Sequence, residues 1–228
     1  MFFIRSKKII FLSNPKTGTT TVQKILKNHT KDKLNRVYLD SIKSDSYIRL
    51  KEHGNVRELN DKLGSNVNDF IIFVFIRSPY DRCVSAYHHY KNGRPNRKKL
   101  TKRKLLIFFN LILAKVLPFS FWVLIKPIKY NYKYVLDNRN KISVNHVGVT
   151  SKLLIQLDQL LKLYQIEIEF DKSMKENTSR RLEHEEYFKN SLLKKLFKLK
   201  YKKDIDLFHK IKKYSITDDL RGLDLKDL

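Results

Sequence analysis

The stretch Lys7–His29, KKIIFLSNPKTGTTTVQKILKNH, decides the fold. Its first part, Lys7–Ser13, is a short run of β-branched and aromatic side chains ended by Asn14-Pro15, the pattern of a buried strand. From Thr20 to His29 the apolar residues fall at Val22, Ile25 and Leu26, the spacing of one helix face. Strand, loop and helix in that order predict the opening of a parallel α/β sheet. The connecting loop, Asn14-Pro15-Lys16-Thr17-Gly18-Thr19-Thr20-Thr21, has the chemistry of a phosphate cradle. A helix start offers backbone N–H groups and the positive end of the peptide dipoles. Gly18 permits close backbone approach, the threonine hydroxyls add donors, and Lys16 adds a charge. In the Walker type of triphosphate loop the lysine follows the last glycine, whereas here Lys16 precedes Gly18. Taken alone, an ordinary threonine-rich helix start reads the same way.

Outward from this segment, Asp69–Ile76 (DFIIFVFI) is the strongest strand, apolar on both faces as a central parallel strand is. Arg77 stands at its carboxyl end, and Pro79 suits the first position of a helix running to about Tyr90. Ser85 lies on that helix. Ligands of open α/β sheets collect beyond the carboxyl ends of the strands. Arg77 and Ser85 therefore form a second candidate anion site, and a surface arginine with a helix-face serine is the bland alternative. Two such sites after two strong strands imply a ligand that carries phosphate at two places. Val37–Leu39 and Tyr47–Lys51 are weaker strand candidates, and Val56–Leu63 has the pattern of a short helix. Ile142–Val149 and Ile166–Phe170 are expected strands, Ser151–Tyr164 an amphipathic helix, and Leu182 to about Tyr214 one or two lysine-rich helices.

With 228 residues, 42% of them hydrophobic, the chain is long enough to bury a core as one domain over 1–228. The expected fold is a single α/β domain, a central parallel sheet flanked by helices, carrying a hydrophobic helical insert at about 94–130. Within the insert, Asn96–Lys104 is densely basic and Leu105–Ile125 is almost continuously apolar. Its length approaches the roughly 20 residues of a spanning helix, but Asn110, Lys115 and Pro118 interrupt it. Core or interface helices, a surface-lying anchor with Phe119, Phe121 and Trp122 at headgroup level, and a true span are the three readings. The balance of 48 Lys and Arg against 23 Asp and Glu gives a net charge of +25, a field that attracts polyanions. A single cysteine, Cys83, excludes an internal disulfide and a multi-cysteine metal site and fits a reducing compartment. The N-terminal residues do not follow the order of a signal peptide, so a cytoplasmic protein, peripheral at the inner membrane face in the anchor reading, is expected.

PKTGTTT resembles the 5′-phosphosulfate loop of sulfotransferases that use 3′-phosphoadenosine 5′-phosphosulfate (PAPS). Arg77–Tyr87, RSPYDRCVSAY, resembles their 3′-phosphate motif, R-x-P-x-x-R-x-x-S-x-Y. The likeness is strongest to carbohydrate sulfotransferases acting on glycosaminoglycans and related glycans, including the uronosyl 2-O-sulfotransferases. Lys51–Val56 falls where that family places a catalytic histidine segment, Ile142–Asp158 resembles the strand and helix after the insert, and Asn177–Phe208 resembles the late loop and terminal helices. The resemblance implies a fold related to nucleotide kinases. It implies that Lys16 touches the sulfate and the bridging oxygen, that Thr17, Gly18, Thr19, Thr20 and Thr21 hold the 5′-phosphate, and that Arg77 and Ser85 hold the 3′-phosphate. The resemblance also makes Arg180 or Arg181 a candidate for a further nucleotide contact. Two departures stand out. The 2-O-sulfotransferases have histidines on both sides of the glycine in their segment, whereas here His53 is followed by Gly54 and Asn55. Val147-Gly148-Val149-Thr150-Ser151 also lacks the acidic residue and asparagine often found in such proteins after the glycine matching Gly148.

The expected reaction is in-line transfer of the sulfuryl group to a hydroxyl of a carbohydrate acceptor. Lys16 would neutralise the leaving oxygen and His53 is the candidate base. No metal is required: Arg77 stands where a kinase would carry a carboxylate for Mg²⁺. The basic surface suits an anionic polysaccharide or a glycolipid as acceptor, and an anionic membrane as a second partner. A P-loop kinase is the enzymatic alternative. A basic nucleic-acid-binding protein is the alternative from another class, disfavoured by the absence of zinc spacing and RNA-recognition sequences. A membrane-surface adaptor is a third.

Overall fold

The computed structural model describes residues 1–4, 7–29, 36–37, 48–49, 53–93, 102–126, 128–171 and 182–228. Arg180, Arg181, the basic run 96–101 and the beginning of the histidine segment, 51–52, lie outside them. The chain divides into two compact units, each assembled from separate stretches. The first comprises Met1–Arg77, Tyr130–Asn177 and Asp206–Leu228; the second comprises Ser78–Lys129 and Thr178–Ile205.

The first unit is built on a four-stranded sheet of β1 (Phe2–Ile4), β2 (Ile9–Leu12), β5 (Ile71–Ile76) and β6 (His146–Val149), in that spatial order. The last three run parallel, with Leu12 opposite Val74 and Val74 opposite Val147. This is the parallel core that the apolar runs predict. The edge strand β1 is antiparallel to β2, which makes the sheet mixed. A separate two-residue ladder, β3 (Arg36–Val37) with β4 (Ile48–Arg49), forms at the two weaker strand candidates.

Burial on both faces explains the continuous hydrophobicity of the central strands. Phe11, Phe73 and Phe75 face α1 (Thr19–His29) and α6 (Leu153–Leu163) through Val22, Ile25, Leu157 and Leu160. Ile10, Leu12, Ile72, Val74 and Ile76 face the other way, toward Val56, Leu59 and Leu63 of α2 (Val56–Leu63). Gly148 makes room for this packing, because a Cβ there would stand 2.4 Å from the Phe75 ring. The expected strand at Ile166–Phe170 does not form. Its apolar side chains Ile166, Ile168 and Phe170 pack at half depth against the α1 side of the core. Alternate burial thus reproduces the strand period without a ladder.

The second unit is helical: α3 (Pro79–Lys91), α4 (Lys102–Val116), α5 (Phe119–Ile125), α7 (His184–Tyr187), α8 (Ser191–Lys200) and the start of α9 (Lys202–Ile211). Pro118 separates α4 from α5 as the N-cap of the latter, as its missing N–H requires. Aromatic rings fill the interior. Tyr80 meets Phe188 and Phe197, and Tyr87 meets Phe119 and Trp122, at centroid separations of 4.8–5.4 Å. Phe119 and Trp122, expected at a lipid headgroup level in one reading of the insert, are buried core residues instead. Their rings match the aromatic face of α3, and that contact determines their place. No helix among the described residues is long and apolar enough to cross a membrane.

Candidate functional site

The Lys16 loop leaves β2 at its carboxyl end, beside the end of β5 where Arg77 stands, since the two strands are parallel neighbours. Both belong to the first unit. Backbone shape is the first notable feature. Lys16 has φ +68° and Gly18 φ +77°, so two left-handed residues flank Thr17. Alternation of this kind curls a chain so that successive N–H groups converge on a concavity suited to anions. For a residue as large as lysine the left-handed region costs about 1–2 kcal/mol, and such strain concentrates at functional positions. A Cβ at Gly18 would be strained by the positive φ and would also press on Leu153 Cδ2 at 3.0 Å, so that side chain would have to give.

The first i−4 bond of α1 runs from Val22 N–H to the Gly18 carbonyl at 3.2 Å. The amides of Thr19, Thr20 and Thr21 therefore stand ahead of the helical ladder, at the positive end of the helix. The threonine hydroxyls divide in function. Thr17 and Thr19 are buried, and both donate to the Asn14 carbonyl, at 2.8 and 2.6 Å. They brace the loop. Thr21 is buried in α1, while Thr20 is exposed. Lys16 is half-buried.

His53 joins this loop. Its Nδ1 lies 2.9 Å from the Ser13 carbonyl, and a carbonyl can only accept, so Nδ1 carries the hydrogen. The neutral ring then has its lone pair on Nε2, the tautomer a general base needs. Tyr134 holds the same residue from behind by donating to the His53 carbonyl at 3.3 Å. Asn55 serves the fold. Its Oδ1 accepts from Glu58 N–H at 2.9 Å and caps α2.

Residues outside both motifs tie the strand ends together. Asn14, fully buried, donates through Nδ2 to the Phe75 carbonyl and to Asn131 Oδ1, each at 3.1 Å. Asn131, equally buried, donates through Nδ2 to the Arg77 carbonyl at 2.9 Å. Thr150 Oγ1 donates to the Ile76 carbonyl at 2.9 Å. The loop after β2, the end of β5 and the end of β6 are thus joined by hydrogen-bonding side chains. Asn14 was legible as the end of a strand, but nothing in the sequence marks Asn131, which lies far from both motifs and belongs to no periodic pattern. His146, a buried histidine of this unit, is structural. Its Nδ1 donates to the Asp218 carbonyl at 3.1 Å and its Nε2 accepts from the Tyr164 hydroxyl, and burial holds its pKa below the ordinary histidine value.

Arg77 is half-buried in the first unit, and Ser85 is half-buried on α3 in the second. Between them in sequence the motif turns inward. Arg82 is buried and pairs with the equally buried Asp204 at 3.8 Å. Cys83 beside it is buried as well, and burial pushes its thiol up to about 12, which leaves it unreactive. The second arginine of the motif therefore serves the fold of its unit. Of the remaining histidines, His88 meets the Tyr187 hydroxyl at 2.6 Å and His184 pairs with Asp81 at 3.2 Å, both within the second unit. Among the described residues, Glu183, His184 and Glu185 also bring possible metal ligands within 4.8 Å of one another, but both carboxylates are exposed.

A curled, lysine-bearing loop at a helix start and an arginine at the next strand end are the arrangement that suits an anionic ligand in an α/β enzyme. A model of the sulfotransferase family matches residues 1–116, which contain both motifs. The chain belongs to the sulfotransferase family and is a PAPS-dependent sulfotransferase. Mouse sulfotransferase SULT7A1, solved as a complex with PAP, is similar at 16% identity, covering 93% of this chain and 91% of that one with a TM-score of 0.46. No curated protein matches significantly. The family assignment displaces the kinase and nucleic-acid-binding readings.

Proposed function

We propose that the whole chain, 1–228, acts as one catalytic domain that transfers the sulfuryl group of PAPS to a hydroxyl of a carbohydrate acceptor. Lys16 and the amides of Thr17, Gly18, Thr19, Thr20 and Thr21 hold the 5′-phosphosulfate, and Arg77 and Ser85 hold the 3′-phosphate. The acceptor oxygen attacks sulfur as the S–O bond to the 5′-phosphate breaks. Negative charge gathers on the bridging oxygen, where the Lys16 ammonium neutralises it. The acceptor proton passes to His53 Nε2. No metal is assigned a part.

The observation that carries this reading is the hydrogen bond from His53 Nδ1 to Ser13, three residues before Lys16. It supports a base and a leaving-group lysine working at one loop, with the base in the required tautomer. His53→Ala is expected to lower kcat by at least about 10²-fold while the affinity for adenosine 3′,5′-bisphosphate (PAP) stays within about twofold. Unchanged turnover would remove His53 from the mechanism. The charge of +25 favours an anionic acceptor, a polysaccharide or a glycolipid. Labelled PAPS offered with a panel of neutral and acidic glycans tests this, and transfer confined to neutral sugars would contradict it.

A further inference from the structure

We propose that α4, α5 and α8 of the second unit form a docking face for an anionic lipid surface. On α4, Asn110, Leu111 and Ala114 turn inward, while Phe108, Phe109, Ile112 and Val116 share the opposite, exposed side. The water-facing side of an ordinary surface helix is polar; here Phe109 is 58% exposed and Val116 72%. The pattern repeats on α5, where Trp122 and Val123 are buried and Phe121, Leu124 and Ile125 are exposed. On α8, Leu193 and Phe197 are buried, and Leu192, Leu196 and Leu199 form an exposed stripe beside Lys194, Lys195 and Lys198. The three helices are tied to one another: Lys126 Nζ donates to Asn110 Oδ1, and Lys200 Nζ donates to the Leu124 carbonyl at 2.7 Å.

Charge decides what covers this face. The second unit carries 21 of the 48 Lys and Arg but 5 of the 23 Asp and Glu. A second copy of the chain would bring the same positive excess against itself, and an acidic polysaccharide offers nothing to the exposed phenylalanines. An anionic bilayer satisfies both features, with lysines at the headgroups and apolar side chains at the acyl boundary. Helices too short to span would lie in the interface plane. This docking is independent of the acceptor and of the catalytic assignments.

The test is flotation of the full chain with vesicles of phosphatidylcholine alone and of phosphatidylcholine mixed with phosphatidylserine. Wild type is expected to float with the phosphatidylserine vesicles. Phe109→Ser combined with Ile125→Ser should lower the partition at least about tenfold. Lys195→Glu combined with Lys198→Glu should lower it by roughly fivefold for each lysine removed. Val116→Ser alone, at the most exposed position, keeps the test valid if the serine pair lowers the melting temperature. Absence of flotation overturns the proposal. So does binding that responds to the glutamate pair but not to any serine variant, since that is adhesion by charge alone. A concentration-dependent dimer that the serine pair dissolves would mark the face as a protein interface and overturn it equally.

Discussion

In the loop after β2 the motif side chains brace the backbone, and the proposed site leaves the anion to the backbone amides. Thr17 and Thr19 give their hydroxyls to the Asn14 carbonyl, and the left-handed residues Lys16 and Gly18 flank Thr17. At the start of α3 the division is reversed. There the backbone is an ordinary helix, Arg82 and Cys83 are consumed by the interior, and Arg77 and Ser85 remain half-buried at the surface. Both segments look like ligand-binding motifs as sequence, and in each about half the distinctive residues hold the fold. A motif therefore marks a place in the structure, and burial decides which of its residues can meet a ligand.

The largest effect should come from the buried ion pair. Asp204→Ala leaves the Arg82 guanidinium without its carboxylate in the interior, which costs about 3–5 kcal/mol. The melting temperature should fall by at least about 6 °C, and a shift within about 1 °C would show that Arg82 finds water. Next comes the loop. Lys16→Ala should reduce kcat about 10²- to 10³-fold in a PAPS assay. Lys16→Gly should lose activity equally but keep or gain stability by up to about 1 kcal/mol, because glycine relieves the left-handed strain. Such a pair of results separates the loop's chemistry from its shape, and a destabilised Lys16→Gly would contradict the strain argument.

Asn131→Leu sharpens the comparison further. It leaves Asn14 Nδ2 and the Arg77 carbonyl short of a partner, at about 1–3 kcal/mol, and should weaken PAP binding because it loosens both strand ends. Equal PAP affinity in the variant would make Asn131 a purely structural residue. The smallest effect is a pH dependence of the first unit's core. His146 titrates below its ordinary value, so the unfolded chain takes up the proton first as pH falls. Stability is fully present above the ordinary histidine pKa and is lost as pH falls through it. Urea unfolding at about pH 7.5 and about pH 5.5 should show this loss, and His146→Gln should reduce it.

Much of the first unit was legible because its signals are local, and so was the first helix of the second. Val56–Leu63 and Pro79–Lys91 follow from apolar period and a proline. β2 and β5 follow from two-faced hydrophobicity. The antiparallel edge β1 was not legible: Phe2–Ile4 is too short to carry a direction, which is set by its pairing with Ile9–Phe11. Asn131 and Asp204 were invisible for the same reason. Each becomes meaningful only against a partner that the fold brings from far along the chain. The apolar insert divided into buried and exposed faces that composition could not apportion, since apolar residues stand on both sides of α4.

The most direct test of the central claim, that the Lys16 loop and Arg77 hold the two phosphates of one nucleotide, is calorimetric titration with PAP. One-to-one binding is expected, weakened at least about tenfold by Arg77→Ala, as removal of a hydrogen bond to a charged group requires. The absence of heat with wild-type protein, or equal affinity in wild type and Arg77→Ala, would contradict it.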